Sequence, residues 1–131
     1  MVIIRAYTTI EQSKKLIEIL PIESADMSYY IWKDDGHLMS PVPFVLDDTE
    51  EKEDGMFEYI PCWSLAALIS ILPNEIKHDG IVNNLWITSE DVSYYSKEYD
   101  SYLYCEEGCT VDACYEMIIK LKEKGFELWI Q

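Results

Sequence analysis

Three short segments rich in β-branched and aromatic residues, 85–89, 92–96 and 101–105, are separated only by residues 90–91 and 97–100. A parallel crossover takes a dozen residues or more, so neighbours this close must pair antiparallel. This spacing constrains the fold more than any other feature of the chain. Glu90-Asp91 and residues 98–100 read as the turns of a meander. Earlier in the chain, residues 27–33 form another aromatic and β-branched run. Asp35-Gly36 follows as a turn and 37–42 as the returning strand. Pro41 and Pro43 put the end of that strand at a sheet edge, because proline cannot donate to a ladder. Short strands are also expected at 2–6 and 126–130.

Helical periodicity appears in three places. Thr8 stands three residues before Glu11, the spacing of a capping box, and Ile10, Leu16, Ile17 and Leu20 then share one face up to Pro21. Residues 61–73 carry Leu65, Leu68, Ile69 and Leu72 at i, i+3, i+4 and i+7, bracketed by Pro61 and Pro73. In this reading Trp63 and Ser64 lie in the first turn, and Trp63 folds back over the sheet. The third helix is expected over 111–124, with Thr110 as N-cap, Asp112 near the positive end, Lys120, Lys122 and Lys124 near the negative end, and Gly125 as the stop.

The pattern predicts an α+β fold, with an antiparallel sheet of about five or six strands and three helices on one face; the alternative is a small βα sandwich with the first hairpin apart from the meander. An apolar fraction of 49% in 131 residues suffices for one core, and a single domain over 1–131 is expected. Residues 47–55, DDTEEKEDG, have no apolar period and read as an acidic surface loop within that domain.

Charge narrows the function. Ten Lys plus Arg stand against 25 Asp plus Glu, a formal net charge of −15. Such a field repels nucleic-acid phosphates and anionic lipid surfaces, and favours a protein partner with a basic surface. No run approaches the ~20 apolar residues that span a bilayer. The start, Met1 to Arg5, lacks the basic flank and long apolar stretch of a secretory signal. The expected location is the cytoplasm, where Cys62, Cys105, Cys109 and Cys114 would be free thiols.

No established catalytic pattern emerges. Cys105, Cys109 and Cys114 form a loose cluster, unlike the paired thiolates of structural zinc sites, so no metal or other cofactor is assigned. Cys109, just before a helix, and Cys62, near another, are the positions on which a small cysteine-dependent enzyme would rest. A small-ligand-binding domain is the other alternative. The acidic loop lacks the spaced ligands and central glycine of an EF-hand. Ser64 has no Gly-x-Ser-x-Gly elbow around it. The tyrosines offer more: Tyr29 and Tyr30, Tyr94 and Tyr95, and Tyr102 and Tyr104 fall on expected strands, where neighbouring side chains point to opposite faces. Tyr30, Tyr95 and Tyr102 are the candidate interface residues of a non-enzymatic interaction protein.

The run Glu11-Gln12-Ser13-Lys14-Lys15-Leu16-Ile17-Glu18, followed by Ser24-Ala25-Asp26-Met27, resembles the start of a family of small hypothetical proteins. That family occurs in gut anaerobic bacteria, largely in phage and conjugative-element regions. Ile60-Pro61-Cys62-Trp63-Ser64-Leu65-Ala66-Ala67-Leu68 is similar to its most recognisable motif, in which Ala is more usual at the place of Cys62. Val111-Asp112-Ala113 leading into Tyr115-Glu116-Met117 is similar to its C-terminal helix. The resemblance implies a phage or mobile-element origin and carries over no activity and no site residues.

Overall fold

Two antiparallel sheets, and not one, carry the α+β fold. The computed structural model describes residues 5–43, 57–96 and 101–129. The acidic loop at 47–55 and the turn at 98–100 lie outside them, as do most of the strand expected at 2–6 and the last residue of the one expected at 126–130. The chain groups into two compact units, one of Tyr7–Ala67 and one of Met1–Ala6 with Leu68–Gln131.

The first unit holds α1 (Ile10–Ile19), a short 3-10 turn (Ile22–Ser24) and a three-stranded sheet. Its strands are β1 (Met27–Trp32), β2 (Leu38–Pro43) and β3 (Phe57–Cys62), in the order β2-β1-β3. The capping box exists, but one residue later than expected: Thr9 accepts from the Gln12 N–H while the Gln12 side chain accepts from the Thr9 N–H. Thr8 is thereby freed for a buried role. Its N–H donates to the Trp63 carbonyl (2.9 Å), and its hydroxyl accepts from the Trp63 N–H (3.1 Å). The Tyr29 hydroxyl donates to the Thr8 carbonyl (2.6 Å), and Ser13 Oγ lies 2.8 Å from Thr8 Oγ1. The buried face of α1 is accordingly turned, with Ser13, Leu16 and Leu20 inside while Ile17 is 40% exposed. Tyr29, Ile60 and Cys62 form the sheet's buried cluster, with Tyr7, Ile10, Met27 and Ile31 packed around it.

The helix expected over 61–73 is shorter. Pro61 and Cys62 end β3, and α2 spans only Leu65–Ile71. The proline punctuates the strand that precedes the helix. Trp63 lies between the two, fully buried, with its indole N–H donating to Ser24 Oγ (3.0 Å). Ser64 also precedes the helix. Its Oγ accepts from the Ala67 N–H (3.2 Å) as an N-cap does, and its own N–H and hydroxyl donate to the Asp26 carboxylate. Ala67, Leu68, Ile71 and Leu72 are buried, whereas Ile69 is 38% exposed.

The second unit holds β4 (Glu75–His78), β5 (Ile81–Ile87), β6 (Asp91–Tyr95) and β7 (Leu103–Glu106), a meander in sequence order, and α3 (Thr110–Glu123). The meander was expected; β4 was not. His78 and Ile81 close a two-residue Asp79-Gly80 turn with φ of +53° and +78°, the positive pair of a type I′ hairpin. Cys109, not Thr110, is the N-cap residue of α3. The Thr110 hydroxyl donates instead to the carbonyls of Thr88 and Ser89, tying the helix start to the β5–β6 turn. Asp112 in the first turn pairs with Arg5. At the other end Gly125 (φ +81°) closes a Schellman motif, with Gly125 N–H on the Lys122 carbonyl and Phe126 N–H on that of Leu121. Residues 126–129 form no strand, and the Trp129 N–H donates to the Ile71 carbonyl (2.8 Å).

α3 packs on β6 and β7 through a buried stripe of Val111, Cys114, Met117, Ile118 and Leu121. Val92, Tyr94, Leu103 and Cys105 face it, and the Tyr94 hydroxyl donates to the Pro73 carbonyl (2.7 Å). Lys120 Nζ donates to the Tyr104 carbonyl on β7 (2.9 Å). No helix among the described residues is long and apolar enough to cross a membrane.

Leu68→Ala should therefore cost about 2–5 kcal/mol of stability, the range for a buried leucine. Ile69→Ala should cost clearly less. Denaturant unfolding of the two variants checks this, and equal losses would contradict the assigned helix face.

Candidate functional site

One face of the four-stranded sheet packs on α3 through β6 and β7, and the other is turned outward. Register and alternation place the outward side chains in cross-strand rows. Trp86, Ser93 and Tyr104 form one row, since Trp86 pairs with Ser93 and Ser93 with Tyr104. Asn84 and Tyr95 form the row on one side, and Asp91 and Glu106 the row on the other. Trp86 is 55% and Tyr104 45% exposed, while the small Ser93 between them is buried. Tyr95 is half-buried and meets Trp86 edge to face, with ring centroids 5.8 Å apart at 85°. That contact is the diagonal pairing expected of long side chains on a sheet.

Carboxylates border the rings. The Tyr104 hydroxyl lies 2.6 Å from Glu106 Oε2 and 3.2 Å from Asp91 Oδ2. The phenol is held in its protonated form, first by the hydrogen bond to Glu106. Asp91 Oδ1 accepts from the Thr88 hydroxyl (2.6 Å). Asp91 and Glu106 are directly opposed across β6 and β7, a like-charge pair.

Tyr30, Tyr95 and Tyr102 have three different surroundings. Tyr30 lies on β1 in the other unit, half-buried in a cluster with Phe57 and Tyr59 at centroid distances of 6.0 and 4.8 Å. Tyr102 precedes β7 and is engaged internally. The His78 ring stacks on it at 3.9 Å and 12°, Phe126 meets it edge-on at 6.2 Å, and Lys124 Nζ stands 5.8 Å from its centroid. Of the three, only Tyr95 belongs to the outward face. Of the most exposed rings there, the sequence reading leaves out Trp86 and passes over Tyr104 in favour of Tyr102. Strict alternation around Leu103 and Cys105 points Tyr104 outward, and that signal was available.

All four cysteines are free and buried. Burial, with a smaller contribution from Asp26, pushes the Cys62 thiol up to about 12, and burial with the neighbouring Cys105 and Cys109 does the same to Cys114. Burial also raises Cys105, against the opposing pull of Lys120. A nucleophilic thiolate requires the reverse shift. Among the described residues no three His, Cys, Asp or Glu side chains are arranged to hold a metal ion. A cleft of about 320 Å³ beyond α3 is lined by Lys122, Gly125, Phe126, Glu127 and Leu128. Comparison with protein-family models, curated proteins and solved structures found no match.

The thiols make stability pH-dependent. Cys62 and Cys114 ionise near 9.0 in an ordinary setting and near 12 in the fold, so their stabilisation is complete below 9 and is lost as pH rises towards 12. Unfolding free energy should fall steadily above about pH 9. Denaturant unfolding across that range checks the sign, and a flat profile would contradict it.

Proposed function

We propose that this chain is a non-enzymatic interaction protein that docks a basic protein on the outward face of β4–β7. The supporting observation is the row Trp86–Ser93–Tyr104, two exposed rings bordered by the Asp91–Glu106 pair on a chain of net charge −15. Exposed aromatics supply desolvated anchors, and the carboxylates select the sign of the partner. The same field disfavours nucleic acid and anionic lipid as direct partners. Four unpaired thiols suit a cytoplasmic setting. The resemblance in the motif around Trp63 supports a phage or mobile-element origin, with the partner encoded by the element or its host.

A photoreactive phenylalanine analogue at position 86, in cells that express the chain natively, should capture a basic protein. The same probe at the exposed Ile22 should not. Affinity for the captured protein should drop with Trp86→Ser and with salt, as the screening length shrinks from about 10 Å at 0.1 M to about 3 Å at 1 M. Capture of an acidic protein, equal capture from both positions or no capture would overturn the reading.

A further inference from the structure

The interaction reading leaves open what chemistry on the partner the outward face recognises, and the geometry there is specific enough to say. Tyr104 and the two carboxylates make an incomplete set of hydrogen bonds. The phenol has one proton, and the shorter contact gives it to Glu106 Oε2 at 2.6 Å. Asp91 Oδ2, 3.2 Å from the same oxygen, is then left facing an acceptor. Thr88 satisfies only the other oxygen of Asp91. Among the described residues no cation pairs with either carboxylate, since the ion pairs there join Arg5 to Asp112, Lys15 to Glu18 and His78 to Asp79. Directly opposed like charges destabilise a sheet pair. Among the described residues the site therefore lacks a second donor and a positive charge.

The neighbouring row adds a shape requirement. Adjacent strands lie about 4.8 Å apart, so Trp86 and Tyr104 rise from backbones roughly 10 Å apart across β6. The buried Ser93 between them raises no bulk. What the face presents is two exposed rings on either side of a small serine, with two carboxylates beside Tyr104. A compact ammonium satisfies the charge but makes little use of the rings. A guanidinium is planar, stacks on aromatic faces and carries five donors in a fork that matches carboxylate oxygens.

We propose that the outward face reads an arginine side chain of its partner, the guanidinium lying against the Trp86–Tyr104 row with its N–H groups on Asp91 and Glu106. This rests on the docking reading and refines it. One arginine would supply the missing donor to Asp91, neutralise the opposed pair and cover exposed ring surface in a single contact.

Two blocked tripeptides, Gly-Arg-Gly and Gly-Lys-Gly, provide the test, titrated separately into the intact chain at low salt and followed by NMR. The arginine peptide should shift the Trp86 indole N–H and the amides of Ser93 and Tyr104, and the lysine peptide should bind there roughly threefold or more weakly. The double variant Asp91→Asn, Glu106→Gln should abolish the preference. It removes a repulsion, so its melting temperature should not fall, and a thermal scan shows whether lost binding is mere unfolding. Equal binding of both peptides, shifts confined to other surfaces, or a preference that survives the double variant would overturn the assignment. The outcomes separate the two claims. Capture of a basic protein at position 86 with no arginine preference leaves the docking face and removes its chemistry. An arginine preference without such capture removes the docking reading alone.

Discussion

Thr8 holds the first unit together. Its N–H, carbonyl and hydroxyl are all engaged inside the protein, with Trp63, Tyr29 and Ser13. A buried polar residue left unsatisfied costs about 1–3 kcal/mol per group, so this knot admits few alternatives. It joins the approach to α1, the end of β3 and the middle of β1, three places far apart in sequence. The rest follows from it. Thr9 becomes the cap because Thr8 is occupied, Ser13 turns inward to meet it, and α1 rotates until Leu16 and Leu20 face the sheet while Ile17 does not. Trp63, anchored at its backbone by Thr8 and at its indole by Ser24, delays the helix until Ser64 caps it.

The second unit is organised around a division of labour between two faces of one meander. The strands alternate so that most neighbours take opposite fates, Tyr94 buried and Tyr95 half-exposed, Leu103 and Cys105 buried and Tyr104 exposed, while the small Ser93 is covered on the outer face. The inner set closes on α3, which is secured by Arg5–Asp112 at its start and the Gly125 motif at its end. Rings and carboxylates on the outer set follow from the same alternation, so the proposed docking face needs no insertion or loop of its own. Its rigidity is that of the core beneath it, which favours a preformed contact over one that must order on binding.

Much of this was legible from local rules. Gap lengths gave the antiparallel meander, and Gly125 and the lysines marked the end of α3. Other features depended on distant partners. Nothing local distinguishes Thr8 from Thr9 as the cap, and the choice is made by Trp63, 55 residues away. The apolar stripe from Leu65 to Leu72 read as one long helix because periodicity cannot see that Pro61 and Cys62 pair with β1. Strand patterns do not reveal which strands share a ladder, so the division into two sheets, with the first hairpin apart from the meander, was legible only as an alternative. The hairpin at Asp79-Gly80 is different, because its turn signal was plain and only the brevity of β4 masked it. For the site, alternation was sufficient to find Tyr104, but the carboxylates converging on it required the β6–β7 register. Tyr102 misled because its stack on His78 is a tertiary contact.

The lysine on the Tyr104 carbonyl bears on how sheets join. In the β5–β6 hairpin the Thr88 N–H meets the Asp91 carbonyl, which sets the alternation so that Ser93 bonds towards β5 and the backbone of Tyr104 points off the edge of β7 that no described strand covers. That carbonyl is where a strand from another molecule would begin to pair. Lys120 occupies it. An incoming strand would have to displace an ammonium group and bury its charge, a barrier of the kind that keeps exposed sheet edges from growing into fibrils. Association through this edge is thus steered away from backbone pairing, which accepts any sequence, and towards side-chain contact, which does not.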